Sequence, residues 1–272
     1  MDLITTHLNA DFDGLASMVA ARTLYPGATL VLPAGAQEAV RSFLAVHDLG
    51  LARLKDLDLG AVTRLILVDT HEPSRLGPLD ALCGKPGIAI HIYDHHPHAE
   101  PDPHQAPLRA ELQVMESVGA TTTLLVERLK AQGVTLSPFD ATVLALGLYE
   151  ETGSLAYAST TPRDLDAAAF VLRAGADLNL VSDTLRRPLD PEQIAILNDL
   201  LQNGETHYLD GRKVLLATGT VERYRGDLDE VVHKLMELEG LDAALAAVAM
   251  EEKVEIIGRS RRAEIDVGLI LR

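Results

Sequence analysis

Three short segments carry acids and histidines at spacings suited to metal chemistry. They are His7-Leu8-Asn9-Ala10-Asp11-Phe12-Asp13-Gly14, Asp69-Thr70-His71 and Asp94-His95-His96. Close-set carboxylates repel one another, and divalent cations relieve that repulsion. Imidazole and carboxylate without thiolate suit Mn2+ or Mg2+ better than structural zinc. Two such cations side by side can clamp a phosphoryl oxygen during hydrolysis. Six of the ten histidines fall between positions 71 and 104, which favours ligand roles over scattered surface ones. Within that group His91 alternates inside an apolar run and reads as packed. His98 and His104 fall in the Pro-rich stretch Pro97–Pro107 and read as solvated, while His47, His207 and His233 read as structural. Asp11 and Asp13 alone would be an ordinary helix N-cap. The helix that follows them would also offer free N–H groups to a phosphate.

These residues need elements that bring them together. Leu3–Thr6, Thr29–Leu32, Leu65–Val68 and Ile88–Tyr93 read as strands, nearly continuous in apolar residues, as in parallel sheets buried on both faces. Helical patterns at Leu15–Leu24 and Gln37–Val46 lie between strands, which implies βαβ units. Ligand sites in such sheets lie beyond the carboxyl ends of the strands, where all three segments fall. From about Ala120 the pattern is helical, with Thr121–Gln132, Pro138–Glu150, Pro162–Ala174 and Pro191–Leu201 as candidates. Pro188 and Pro191 bracket a hinge. Lys213–Thr218, Ala243–Met250 and Lys253–Gly258 read as strands, and Leu228–Leu238 as a helix. The fold class is therefore α/β, a mostly parallel sheet with flanking helices, followed by a smaller α+β domain.

The 272 residues suffice for two domains. The net charge of −16 argues against a duplex-DNA coat or a binder of anionic membranes. No run approaches the roughly 20 apolar residues of a membrane span, and no basic leader precedes the first strand. A single cysteine, Cys83, excludes a disulfide framework and fits a reducing cytoplasm.

Together, the His7–Asp13 segment, the strand-end Asp69 and Asp94-His95-His96 resemble the DHH phosphoesterase superfamily. The resemblance implies that His7, Asp11, Asp13, Asp69 and His95 hold two Mn2+, with Mg2+ as the other candidate, and that Asp69 bridges them. It implies that His96 faces the substrate phosphate and that Asp94 orients the histidines. Where the family has Asp-Thr-Gly, this chain has Glu151-Thr152-Gly153. Glu151 is either the remaining ligand, one methylene longer, or half of a solvated helix end with Glu150.

The likeness covers residues 1–186, and implies a linker helix at 187–204 and part of a DHH-associated substrate domain at 205–272. That domain carries a Gly-Gly-Gly-His segment in the family, which would lie just past Ile265–Ile270, so it is expected to be incomplete here. Arg259 and Arg261 are then candidates for substrate contact; Arg186 and Arg187 form a second basic pair at the hinge. HLNADFDGLAS and YEETGSLAYASTTPRD are most similar to the N-terminal module of bacterial proteins that continue into CBS domains and a poly(A)-polymerase-like tRNA nucleotidyltransferase. The implied activity is metal-dependent, exonuclease-type hydrolysis of phosphoesters in short RNA or nucleotides. The competing reading is a weakened RNA- or nucleotide-binding module of that larger protein. A third reading, inorganic pyrophosphatase, is opposed by the different tail.

Overall fold

The computed structural model describes residues 1–97, 108–186, 189–221, 228–251, 253–262 and 264–271. His98, His104, Arg187 and Pro188 lie outside them. The chain divides into two compact units, Met1–Arg186 and Arg187–Arg272. Among the described residues no helix is long and apolar enough to cross a membrane.

The first unit opens β1 (Asp2–Thr5), α1 (Phe12–Leu24), β2 (Thr29–Val31), α2 (Glu38–Val46), β3 (Leu51–Ala52), β4 (Arg64–Val68), α3 (Asp80–Cys83), β5 (Ala89–Asp94) and β6 (Leu112–Met115). It closes with α4 (Thr121–Ala131), α5 (Pro138–Glu151), α6 (Pro162–Arg173) and α7 (Leu178–Leu185). Its six strands are all parallel, in the order β3-β2-β1-β4-β5-β6. Alternate side chains of each strand enter separate cores. Ile4, Ile66 and Val68 pack with α1, α4 and α5, while Leu3, Leu65 and Leu67 pack with Leu76, Leu79 and Leu82. This is why the strands read as continuous apolar runs. Helix α1 is buried from Phe12 to Ala21. Gly147 lets α5 approach it, since a Cβ there would lie 2.6 Å from the Ala16 Cβ.

The strand order places β1, β4 and β5 side by side, with Thr5 opposite Leu67 and Val68 opposite Tyr93. Their carboxyl ends share one rim. Topology alone therefore brings His7, Asp69 and His95 together.

The second unit consists of α8 (Pro191–Gln202), β7 (Glu205–Leu209), β8 (Arg212–Val221), α9 (Leu228–Glu239), β9 (Ala243–Met250), β10 (Lys253–Ser260) and α10 (Val267–Ile270). The sheet order is β10-β9-β8-β7, parallel only between β8 and β9. Helix α8, expected as a linker, packs into this unit, because Ile196 and Leu200 join Val231 and Leu235 in its core.

Candidate metal centre

Each strand end delivers its side chains differently. After β1, a tight turn through Asn9 (φ 56°) returns the chain into α1. His7 is 4% exposed, and its Nδ1–H donates to the Leu8 carbonyl at 2.7 Å. A carbonyl can only accept, so Nε2 is the free face. It lies 3.5 Å from Asp11 Oδ2 and 3.3 Å from Asp69 Oδ2. Burial would lower the His7 imidazolium, but these two carboxylates outweigh it and push it up to about 10.

Asp69 ends β4 in the left-handed region, at φ 59°. Its Oδ1 accepts the Thr121 hydroxyl at 2.9 Å and faces His95 Nε2 and His96 Nδ1, each at 3.7 Å. Two groups of potential ligands therefore share this one residue: His7, Asp11 and Asp69, and Asp69, His95 and His96. Burial, together with the charge of Asp13, pushes the Asp69 carboxyl well above the usual range.

Asp13 is fully buried. It accepts the Thr121 N–H at 2.7 Å, the Thr122 N–H at 2.9 Å and the Thr122 hydroxyl at 2.6 Å. It thereby caps α4, whose N-cap position holds Ala120 and offers no side-chain acceptor.

His95 donates Nδ1–H to the Val118 carbonyl at 3.0 Å. Among the described residues its buried Nε2 has no hydrogen-bond partner. That nitrogen lies 3.9 Å from Asp13, 3.7 Å from Asp69 and 3.8 Å from Glu151. With Nδ1 engaged by Val118, Nε2 faces three carboxylates. A divalent cation among them would be coordinated by the imidazole and the carboxylates together. The donor set thus fits a divalent metal.

Asp94 is fully buried and binds the other two histidines. Oδ1 accepts the His96 backbone N–H at 3.1 Å and its Nδ1–H at 2.8 Å; Oδ2 meets His71 Nδ1. Burial alone would raise Asp94, but the two imidazoles outweigh it and keep the carboxyl below its ordinary value. The same hydrogen bond, against the effect of burial, pushes His96 up to about 9. Asp94 therefore orients His96 and His71, whereas Val118 orients His95.

The two adjacent glutamates at the end of α5 separate in role. Glu150 Oε2 accepts the Phe12 N–H at 2.7 Å, while Glu151 faces the cluster. Burial, then the charges of Asp13 and Asp11, push Glu151 up to about 8. One expectation fails here. Two of the first N–H groups of α1 are not open to a substrate phosphate, because Glu150 takes that of Phe12 and Asp11 takes that of Gly14 at 3.0 Å. Carboxylates of the chain itself take both of them.

Sequence reasoning missed the hydroxyls of Thr121 and Thr122, the partnering of His71, and Arg75. Arg75 is half-buried, and its charge acts on both Asp11 and His96. Its carbonyl accepts the Leu8 N–H at 2.7 Å, which ties its segment to the His7 turn. Among the described residues no ion pair or hydrogen bond engages its guanidinium. The available signal was a lone arginine shortly after a ligand-bearing strand end. His91 hydrogen-bonds the Tyr25 hydroxyl at 2.7 Å and stays apart from the centre. In the second unit, Arg259 pairs with Asp229 at 2.9 Å, and the Arg261 side chain is exposed.

Residues 3–148 match the DHH family, N-terminal domain. The chain is 40% identical over 275 residues to an A-adding tRNA nucleotidyltransferase of Geobacter sulfurreducens, an alignment covering 100% of the chain and 31% of that protein. The chain thus spans about a third of that relative's length. It is 29% identical over 204 residues to a bifunctional oligoribonuclease and PAP phosphatase of Thermus thermophilus, covering 72% of the chain and 57% of that protein. An exopolyphosphatase-related protein from Bacteroides fragilis superposes with a TM-score of 0.72 at 14% identity, covering 96% of this chain and 79% of that one. That likeness concerns the fold.

Proposed function

The chain belongs to the DHH family, and from that premise we propose that its metal centre hydrolyses phosphoesters in short RNA or nucleotides using two Mn2+. The observation that carries this reading is the buried, unpartnered Nε2 of His95 within 3.9 Å of three carboxylates. His7, Asp11 and Asp69 would hold one cation. Asp13, Asp69, His95 and Glu151 would hold the other, with Asp69 common to both. When bound, the metals supply Lewis-acid charge that offsets what develops on the phosphoryl oxygens.

The rest of the chemistry belongs to side chains of the chain. Asp94 stays ionised and holds His96 through Nδ1, which leaves Nε2 free to donate to a phosphate oxygen. The hydrogen bond to Asp94 favours the protonated form of His96. Arg75 adds a second cation on the same rim and favours an anionic substrate. Manganese is chosen for the mixture of imidazole and carboxylate donors. The substrate class rests on the oligoribonuclease relative. In a longer protein like the A-adding relative, the chain would be a phosphoesterase module beside the nucleotidyltransferase.

Glu151 decides between this reading and a non-catalytic binding module. Its carboxylate lies as near to His95 as those of Asp13 and Asp69, which supports the enzyme. The test measures Mn2+-dependent hydrolysis of bis(p-nitrophenyl) phosphate and of an end-labelled RNA dinucleotide. Turnover that chelation abolishes is the expected result. Binding of the dinucleotide without turnover of either substrate would instead assign a sensing module.

A further inference from the structure

The proposed ligands do not hold themselves in place. Three of them, Asp13, Asp69 and His95, are held by one buried stretch of chain, residues 118–123. Val118 contributes its carbonyl to His95, Thr121 contributes its N–H to Asp13 and its hydroxyl to Asp69, and Thr122 contributes both donors to Asp13. What holds that stretch is a residue some 40 positions later. Asp164, in the first turn of α6, is fully buried. It accepts the Gly119 N–H at 2.9 Å and the Thr123 hydroxyl at 2.5 Å, one at each end of the stretch. It also accepts the Thr161 N–H at 2.6 Å and the Thr161 hydroxyl at 2.7 Å.

An ordinary helix cap explains only part of this. A capping box links Asp164 with Thr161 and serves α6 alone. The bonds from Gly119 and Thr123 cross 45 and 41 positions of sequence and do nothing for α6. The approach is also too close for any side chain at position 119. A Cβ on Gly119 would lie 2.7 Å from Asp164 Oδ2 and 2.9 Å from the Thr152 Cγ2. The neighbouring Arg163 provides a contrast. It pairs with Glu127 at 2.6 Å and Glu116 at 2.8 Å, joins α6 to α4 and to the residue after β6, and among the described residues makes no hydrogen bond or ion pair with residues 118–123.

We infer that Asp164 is a positioning residue of the metal centre, fixing residues 118–123 so that they hold Asp13, Asp69 and His95 in ligand geometry. The inference rests on the metal-site reading above. Groups that orient metal ligands typically govern 10–100-fold of metal affinity. Asp164 acts one step further out, and its loss lowers Mn2+ affinity about tenfold, at the bottom of that range. Asparagine is the informative replacement, because its NH2 group cannot accept, so one of the two oxygens that receive these donors is lost at nearly constant volume.

The experiment titrates Mn2+ calorimetrically into the full chain and into Asp164→Asn, Thr123→Val and Arg163→Ala. Far-UV circular dichroism and thermal melts are recorded for each. Asp164→Asn is expected to bind Mn2+ about tenfold more weakly, with hydrolysis recovered at high Mn2+. Thr123→Val removes one bond to Asp164 without a buried charge change and is expected to weaken binding roughly threefold. It carries the test if Asp164→Asn does not fold. Arg163→Ala is expected to melt earlier but to bind Mn2+ like the parent. Unchanged Mn2+ affinity in Asp164→Asn, or in Thr123→Val if that variant alone folds, overturns the inference. So does an Arg163→Ala loss as large as that of Asp164→Asn. A parent chain that binds no Mn2+ at all overturns the metal-site reading, and this inference with it.

Discussion

The two units differ in where they keep a buried polar network. In the first, carboxylates and imidazoles are buried at strand ends and fixed by backbone groups. Asp13, Asp94 and Asp164 are fully buried, and each accepts several hydrogen bonds. In the second, charged groups pair at the surface, as Arg259 does with Asp229 and Arg262 with Asp242. Exposed pairs of this kind are screened by solvent and rearrange readily. A buried polar network is costly unless complete, so it holds one geometry. The first unit is thus built for fixed chemistry.

That contrast can be broken at its strongest point first. Asp69→Asn is expected to abolish binding of the metal pair and lower hydrolysis by more than ~100-fold, since ligand orientation alone governs 10–100-fold. Calorimetry showing two intact Mn2+ sites would remove the distinction between the units. Glu151→Gln sharpens it. The variant should weaken one metal about tenfold, yet stabilise the metal-free protein. The sign follows from a carboxyl pushed up to about 8 on folding, from an ordinary value of 4.5. Such a group penalises the folded state progressively above pH 4.5 and fully above pH 8. Melts of chelated protein should therefore coincide near pH 4.5, with the variant higher by roughly 2–4 °C at pH 8.5, a shift typical of about 1 kcal/mol at this size.

A smaller effect is expected from Arg75→Ala. It should raise KM for an RNA dinucleotide about fivefold, with Mn2+ affinity unchanged in calorimetry. An unaltered KM would place Arg75 outside the substrate path. The smallest change is expected from Arg259→Ala and Arg261→Ala. Each should raise KM for short RNA about threefold while bis(p-nitrophenyl) phosphate, which needs little remote grip, reacts as before. A loss of Mn2+ binding in either would contradict the division of labour.

The legible parts of this molecule were those whose signal is local. Strands β1, β4 and β5 read clearly because both faces are buried, and their last residues change abruptly from apolar to His or Asp. Strands β3 and β6 did not read, because β3 has two residues and Leu112 and Gln113 of β6 are exposed. Strand β7 is exposed along its length and shows no alternation. Its turn was nonetheless written in Asp210-Gly211, where both residues adopt positive φ, as two-residue hairpins require. In the centre, ligand types were visible from sequence, but their supports were not. Thr121 and Thr122 are unremarkable hydroxyls until the fold sets them beside an acid 108 residues earlier. The fate of α1's N-terminus was equally hidden, since Glu150 reaches it across 138 residues.

The backbone at Asp69 has a practical consequence. Its φ of 59° is a conformation that aspartate and asparagine tolerate and that costs most other residues roughly 1–2 kcal/mol. The position therefore combines two duties, one chemical and one conformational. Alanine there removes a ligand and also adds strain at the tip of a central strand, so an inactive protein could simply be a loosened one. Asparagine keeps the bend and discards only the charge. A folded, metal-free and silent form of this protein is best sought in that single exchange of oxygen for nitrogen.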